Sequence, residues 1–171
     1  MRKWNICICT FILALLGAVS GFSQTSTYIL LRHAEKDTSV QGSTQMTADP
    51  PLSPKGLQRA ASLPDVLKMY TPDAIYSTNY SRTKSTAAPL SAKWAKEVQT
   101  YDPKKLNELA DLLLAEKGKT IIVVGHSNTT PALANLLIKQ NTYKSLDDSV
   151  YDQLWIITVT NGNAEARILK Y

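Results

Sequence analysis

The chain has 171 residues, of which 44% are hydrophobic, and its 19 Lys and Arg outnumber its 14 Asp and Glu to give a formal net charge of +5. That length is enough for one domain with a proper core. Mild basicity without a cluster of Lys and Arg argues against a nucleic-acid partner, and it suits an anionic small substrate.

The N-terminal segment has the pattern of a secretory signal peptide. Arg2 and Lys3 precede an apolar run over residues 6–19, and small side chains follow it. A transmembrane helix needs about 20 apolar residues, so an uncleaved membrane anchor is the less favoured alternative. We therefore predict that residues 1–23 are a signal peptide and that residues 24–171 are one domain. The mature protein is then periplasmic or secreted, without stable membrane association.

Removal of the predicted signal peptide changes the charge and the cysteine content. Of the 19 basic residues Arg2 and Lys3 are lost, so 17 remain against 14 acidic residues, a net charge of +3. Both cysteines, Cys7 and Cys9, are lost with them. A mature chain without cysteine depends on packing, because disulfides are not available to it.

Predicted strands and helices alternate along the rest of the chain. Short apolar or alternating runs predict strands at residues 28–31, 73–77, 97–101, 120–124, 154–160 and 164–169. Helical patterns fall at residues 53–63, 81–96, 102–118 and 130–137. This alternation predicts a three-layer α/β/α sandwich with a mostly parallel central sheet and an antiparallel C-terminal edge.

Local signals predict how several of these elements begin and end. Ser53 followed by proline predicts an N-cap, and Pro64 predicts a kink or break at Leu63. Asp102 is a candidate N-cap of the third helix. Asn161-Gly162 predicts a tight hairpin turn between the last two strands. The polar residues 35–51 predict a loop, and the acidic stretch 147–152 is interpreted as a solvated loop.

The two histidines of the chain each follow an apolar predicted strand. His33 comes after residues 28–31, with Arg32 beside it, and His126 comes after residues 120–124. Ligands of open α/β sheets bind outside the carboxyl ends of the strands, so neighbouring strands would bring both imidazoles into one crevice. A histidine that only satisfies a hydrogen bond in the core is the alternative, and it is less favoured for this pair than for a single histidine.

Arg82 is a third candidate for the same crevice. It follows the predicted strand at residues 73–77 and lies where a helix begins, and backbone N–H groups at a helix start favour an anion. The planar guanidinium matches the oxygens of a phosphate. The ordinary alternative is a surface arginine in an ion pair.

Four segments together resemble the motifs of one family, the histidine phosphatase superfamily, which includes the cofactor-dependent phosphoglycerate mutases. They are Leu31-Arg32-His33-Ala34-Glu35, Pro51-Leu52-Ser53-Pro54-Lys55-Gly56, Ser77-Thr78-Asn79-Tyr80-Ser81-Arg82-Thr83-Lys84-Ser85-Thr86 and Val124-Gly125-His126-Ser127-Asn128. Ala34 stands where the family usually has glycine, and Ser85 replaces a frequent glutamine. The long insertion of the mutases is missing, so the resemblance implies a small phosphatase and not a mutase.

The resemblance implies a phosphatase mechanism that uses no cofactor and no metal. His33 would attack phosphorus and form a phosphohistidine that water hydrolyses. Arg32, Arg82 and His126 would contact the phosphoryl oxygens, and Asn128 would add a further contact at a helix start. The substrate would be a phosphorylated small molecule or a phosphoprotein, selected by residues 35–51 and 141–152.

Two carboxyl groups are candidates for the proton donor to the leaving group. Glu35 lies two residues after His33 and is slightly favoured, although it has an alternative as an ion-pair partner of Lys36 or Arg32. Asp102 is the other candidate, with helix capping as its alternative.

Two other functions remain as alternatives. A protein that keeps the pocket but lacks a competent acid would bind a phosphorylated ligand without turning it over. A metal-dependent hydrolase is the less favoured alternative. The H-x-E pattern at His33 superficially matches zinc deaminases, but their P-C-x-x-C segment has no counterpart in the mature chain. Loss of activity with EDTA would distinguish that class.

Overall fold

The computed structural model describes residues 24–39 and 49–171. The predicted signal peptide and the centre of the predicted loop at residues 35–51 lie outside this range. The strands are β1 (Thr25–Arg32), β2 (Ala74–Thr78), β3 (Val98–Tyr101), β4 (Thr120–Gly125), β5 (Gln153–Thr160) and β6 (Asn163–Lys170). The helices are α1 (Pro54–Val66), α2 (Ser81–Trp94), α3 (Leu106–Ala115) and α4 (Thr129–Ile138). Each predicted element is therefore present, in the predicted order.

The six strands form a single mixed sheet in the order β3-β2-β4-β1-β5-β6. The first four strands in that order are parallel, and β5 and β6 add an antiparallel edge. The Asn161-Gly162 turn joins β5 to β6 with both residues at positive φ, 52° and 84°, as a two-residue hairpin loop requires. This confirms the predicted parallel sheet and its antiparallel edge.

Helices cover both faces of the sheet, because alternate residues of the central strands point to opposite sides. Ile29 and Leu31 pack with α1 and α2, whereas Tyr28 and Leu30 pack with α3 and α4. Trp155 packs on the side of α3 and α4 and is 1% exposed. The three-layer α/β/α sandwich predicted from the sequence is confirmed.

Two local predictions, a helix break at Leu63 and the Asp102 cap, are wrong. α1 continues through Pro64 to Val66, because buried Leu63 and Leu67 secure the last turn and the Leu67 N–H still donates to the Leu63 carbonyl. Asp102 does not cap α3, which begins at Leu106 without a side-chain cap. Its carboxylate instead accepts a hydrogen bond from the Lys104 N–H in the preceding turn, at 2.9 Å.

None of the helices in the described part of the chain has the length and apolar character needed to cross a membrane.

Candidate active site

The carboxyl ends of β1 and β4 bring the two histidines together. Arg32 pairs with Gly125 in the parallel register, and the His33 N–H donates to the Gly125 carbonyl at 2.9 Å. A histidine thus directly follows each strand, and the centroids of the two imidazole rings lie 5.4 Å apart with an interplanar angle of 67°. His33 is only 4% exposed and His126 only 8%. The predicted convergence of His33 and His126 on one rim of the sheet is what the structure shows.

The imidazole of His33 is held in one tautomer. Its Nδ1 lies 2.7 Å from the carbonyl oxygen of Ala34, which can only accept, so Nδ1 carries the proton and Nε2 keeps its lone pair. Burial lowers the pKa of His33 to about 3; the hydrogen bond to Ala34 opposes the shift, and the positive charge of Arg32 adds to it. At neutral pH this ring is therefore uncharged, and its Nε2 is unprotonated.

The imidazole of His126 is held in the opposite tautomer, with the proton on Nε2. Its Nε2 lies 3.0 Å from Thr78 Oγ1, and its Nδ1 lies 3.5 Å from an Arg82 Nη2. Because the guanidinium only donates, Nδ1 accepts and Nε2–H donates to the threonine. Burial, followed by the charges of Arg82 and Arg32, lowers the pKa of His126 to about 4. The Thr129 hydroxyl accepts from the His126 backbone N–H at 2.9 Å and fixes the start of α4.

Arg32 is buried and held by the segment before β5. Its Nη1 donates to the carbonyls of Asp147, Asp148 and Val150 at 2.9, 3.2 and 2.9 Å, and its Cζ lies 4.0 Å from the ring centre of Tyr151. The interpretation of residues 147–152 as a merely solvated loop is therefore wrong, because its backbone binds this arginine. Arg32 Nε is buried and has no hydrogen-bond partner among the described residues, so a donor remains for an anion.

Arg82 is the second residue of α2 and faces His126 across the same hollow. Its Cζ lies 4.5 Å from the ring centre of Tyr80, and that ring packs edge-on against His126 at 5.1 Å. Asp49 Oδ1 lies 3.5 Å from Arg82 Nη1 and accepts from the Ser81 N–H at 2.7 Å. The predicted site arginines Arg32 and Arg82 thus both belong to the site.

Glu35 lies in an ion pair beside the site. Its carboxylate accepts from Arg59 Nε and Nη2 at 2.9 Å each, and Lys55 Nζ lies 3.4 Å away. Burial on its own raises the pKa of Glu35, but the hydrogen bonds and charges of Arg59 and Lys55 outweigh it and lower the pKa. The partners anticipated from the sequence, Lys36 and Arg32, are not the ones in this ion pair.

The segment from Pro51 to Gly56 braces the backbone that follows His33. The Ser53 N–H donates to the Glu35 carbonyl at 2.9 Å, and Ser53 Oγ accepts from the Gly56 N–H at 3.1 Å as the cap of α1. A Cβ on Gly56 would collide with the Glu35 carbonyl. This residue must be glycine because the helix start and the loop after β1 touch here.

Thr86 joins α2 to the same loop. Its Oγ1 accepts from the Ala34 N–H at 3.0 Å and donates to the Arg82 carbonyl at 2.8 Å. Ala34 itself is fully buried and packs with Leu52 and Ala60, so its methyl group fills space that glycine would leave empty. This explains how alanine is accommodated where the family usually has glycine.

A cavity of about 140 Å³ opens beside His126 and Arg82, and its lining includes Asn128 and Lys104. Asn128 is exposed and directly precedes α4, and its predicted contact with a substrate stays a prediction. Asp102 is exposed and borders an adjoining cavity but not this one.

Several functional candidates were missed from the sequence. Tyr80 and Thr78 lie inside the third motif segment, whose position is a sequence signal for them. Asp49 and Tyr151 fall in the segments 35–51 and 141–152 that are expected to select the substrate, but their individual contacts depend on the course of these loops. Lys104 has no such signal in the sequence.

Within the described ranges no group of three or more His, Cys, Asp or Glu is arranged to hold a metal ion. The site is instead built from two neutral imidazoles and two guanidinium groups, which suits a tetrahedral oxyanion.

Comparison with known proteins agrees with this chemistry. The model of the histidine phosphatase superfamily (branch 1) matches residues 28–110, which include His33 and Arg82. Over this range, 83 of the 171 residues, the chain matches the histidine phosphatase superfamily. The matched range ends before His126, which the fold places next to His33. A search of curated protein sequences gave no significant match.

Several solved structures share the fold of this chain, and they are named as phosphatases or putative phosphatases. A putative α-ribazole-5'-P phosphatase from Escherichia coli is 15% identical with a TM-score of 0.65, over 85% of this chain and 96% of that one. A mycobacterial glucosyl-3-phosphoglycerate phosphatase in complex with VO3 is 15% identical with a TM-score of 0.67, over 85% and 98%. The putative phosphohistidine phosphatase SixA from Agrobacterium tumefaciens is 19% identical with a TM-score of 0.63, over 85% and 98%. At these identities the likeness establishes the fold.

Proposed function

We propose that this protein is an exported phosphatase that hydrolyses phosphomonoesters or phosphohistidine through a phosphohistidine intermediate on His33. The observation that carries the proposal is the state of His33: a buried, neutral imidazole with its Nδ1 proton held by Ala34 and its Nε2 lone pair left for attack. The superfamily match and the phosphatase names of the structural neighbours support the reaction class.

The proposed reaction has two steps. His33 Nε2 attacks phosphorus, the N–P bond forms, and the bond from phosphorus to the leaving group breaks, with a proton supplied to the leaving atom. Water then attacks the phosphohistidine, the N–P bond breaks, and inorganic phosphate leaves. The protein thus supplies the nucleophile itself, and the step requires no metal or cofactor.

The proposed oxyanion ligands are Arg32, Arg82 and His126, with Asn128 at the helix start. Arg32 Nε is a buried donor without a partner among the described residues, and Arg82 and His126 border one cavity. Charge on the phosphoryl oxygens is stabilised by such fixed donors, and loss of one typically costs about 3 kcal/mol of transition-state stabilisation.

The test of the nucleophile is His33→Ala in the mature protein, assayed with p-nitrophenyl phosphate. We expect turnover to be lost almost completely while the circular dichroism spectrum and the melting temperature stay close to wild type. Rapid quenching of wild type should trap an acid-labile phosphoryl group on the peptide that contains His33. Retained turnover in His33→Ala would falsify the assignment.

A second function is kept because of one observation: Glu35, the favoured proton donor, is held in the ion pair with Arg59. A protein without a competent acid would bind a phosphorylated ligand and not turn it over. The leaving group of p-nitrophenyl phosphate needs little protonation. Wild type that binds vanadate but leaves this ester intact would favour the binding protein, and activity that EDTA removes and zinc restores would favour a metal hydrolase.

Export is proposed from the pattern of residues 1–23. Expression of the full chain in a bacterial host, followed by mass spectrometry of the periplasmic and culture fractions, tests it. We expect a mature protein that starts near residue 24. Full-length protein found only in the cytoplasm or membrane fraction would contradict export.

A further inference from the structure

The hollow that contains His126 and Arg82 continues into a second, larger hollow. The inner cavity of about 140 Å³ and an outer cavity of about 340 Å³ share Tyr80, Pro103 and Lys104 in their linings. Together they form a cleft between the β2–α2 and β3–α3 connections, which we call the Lys104 cleft. The inner cavity is lined by His126 and Arg82, two of the proposed phosphoryl ligands, and it is smaller than the outer cavity. A substrate whose phosphoryl group contacts these two residues can therefore extend its leaving group along this cleft.

The walls of the Lys104 cleft are fixed where it leaves the reaction centre. The Tyr80 ring packs against the Arg82 guanidinium at 4.5 Å and edge-on against His126 at 5.1 Å, so two site residues hold its position. The opposite wall is the turn at Pro103 and Lys104, which Asp102 stabilises by accepting from the Lys104 N–H.

The charge is positive where the inner and outer cavities meet. Lys104 has no carboxylate within ion-pair distance among the described residues, whereas the neighbouring Lys105 pairs with Glu108 at 3.0 Å. Asp102 lines only the outer cavity, and its described contact is with the Lys104 backbone and not with the ammonium group. Lys104 lines both cavities and is therefore the ionic group that a leaving group meets first beyond Arg82 and His126.

We propose that the Lys104 cleft is the leaving-group subsite and that it selects substrates whose leaving group carries an anionic group close to the phosphoryl bond. This inference rests on the proposed function and adds the class of substrate. The physical reason is that an ammonium group in a cleft stabilises a carboxylate or a second phosphate there and gains nothing from a neutral group of the same shape.

The test compares two ligands of nearly equal shape, 4-carboxyphenyl phosphate and its neutral amide analogue, 4-carbamoylphenyl phosphate. Binding is measured by calorimetry in a His33→Ala background, so no turnover is needed. We expect tighter binding of the carboxylate, and we expect Lys104→Gln to lower that preference about threefold to fivefold, the upper part of the range for a solvent-accessible ion pair. The preference should shrink with added salt.

Lys105→Gln is the matched control, because Lys105 is the adjacent lysine and is already paired with Glu108. It should keep the preference, and Lys104→Arg should retain most of it. A preference that Lys104→Gln leaves unchanged would overturn the subsite. A uniform loss for both ligands would overturn it too, because it would place Lys104 on the phosphoryl group itself. Turnover of both esters by wild type is measured separately, and it tests only the proposed function.

Discussion

At the scale of single residues, the site depends on two imidazoles that stay neutral because they are buried next to positive charge. His33 and His126 have pKa values of about 3 and 4, well below the ordinary value of 6.5. In the proposed reaction the two rings have different requirements. His33 needs a lone pair for attack, whereas Nδ1 of His126 accepts from Arg82 in this structure and would need a proton to donate to a bound phosphate. A dianionic ligand supplies the negative charge that favours this proton.

The pH dependence of kcat/KM tests the state of His33. Attack requires the unprotonated ring, and the free-enzyme pKa sets the acid limb of kcat/KM. With a pKa of about 3, the nucleophile stays active far below pH 6.5. We expect kcat/KM for p-nitrophenyl phosphate, corrected for ionisation of the ester, to show no acid limb near pH 6.5. A limb there would mean that the ring is more solvated than the structure shows.

Glu35→Gln tests the proton donor. The donor assignment stays a prediction, but the ion pair with Arg59 favours the ionised carboxylate and suggests that Glu35 holds the loop after His33. If Glu35 holds this loop in place, Glu35→Gln should lower the free energy of unfolding by about 1–3 kcal/mol, because Arg59 keeps a half-buried charge without its partner. Phenyl phosphate and p-nitrophenyl phosphate should then be affected equally. A loss confined to phenyl phosphate, the poorer leaving group, would instead identify Glu35 as the donor.

At the scale of elements, the site is made by contacts between connections and not by any one strand or helix. The start of α1 touches the loop after β1, α2 reaches the same loop through Thr86, and the segment before β5 binds Arg32. The first two of these contacts join motif segments of the sequence, whereas the segment before β5 lies outside them.

Gly56→Ala should show how closely α1 must approach the loop after β1. A methyl group there meets the Glu35 carbonyl, which belongs to the backbone and cannot move away on its own. We expect a loss of about 1–3 kcal/mol in the free energy of unfolding, the usual effect of overpacking, together with lower kcat/KM. Gln58→Ala, an exposed change on the same helix, is the control in urea denaturation. Equal stability of the two variants would refute the contact.

At the scale of the whole molecule, burial of both histidines links stability to pH. The unfolded chain binds protons at the ordinary pKa of 6.5, but the folded rings do so only near pH 3 and 4. Stability should therefore fall as the pH drops below about 6.5, by up to about 2 kcal/mol per histidine at pH 5. Urea denaturation in phosphate-free buffer at pH 7.5 and pH 5 measures the loss.

The His33→Ala variant isolates one histidine in this measurement. It should lose less stability between the two pH values than wild type, because one ring no longer takes up a proton on unfolding. An equal loss in both proteins would show that other groups cause the pH dependence.

The layers, the sheet edge and four of the site residues could be predicted from the sequence. Buried strands and amphipathic helices have local signatures, and a residue that directly follows a parallel strand lies at a predictable rim, which placed His33 and His126. Arg32 and Arg82 followed because they adjoin such strand ends. These predictions needed only local pattern and the geometry of parallel sheets.

The partners of these residues, in contrast, depend on how distant parts of the chain pack together. Glu35 meets Arg59 across 24 positions, and Arg32 meets Val150 across 118. Asp49 and Lys104 reach the site because of the course of their loops. Such contacts depend on where separate connections pack against one another, and no local pattern encodes that. The strand ends therefore indicated where an anion binds, whereas the connections decided which groups hold the arginines, orient the imidazoles and shape the Lys104 cleft.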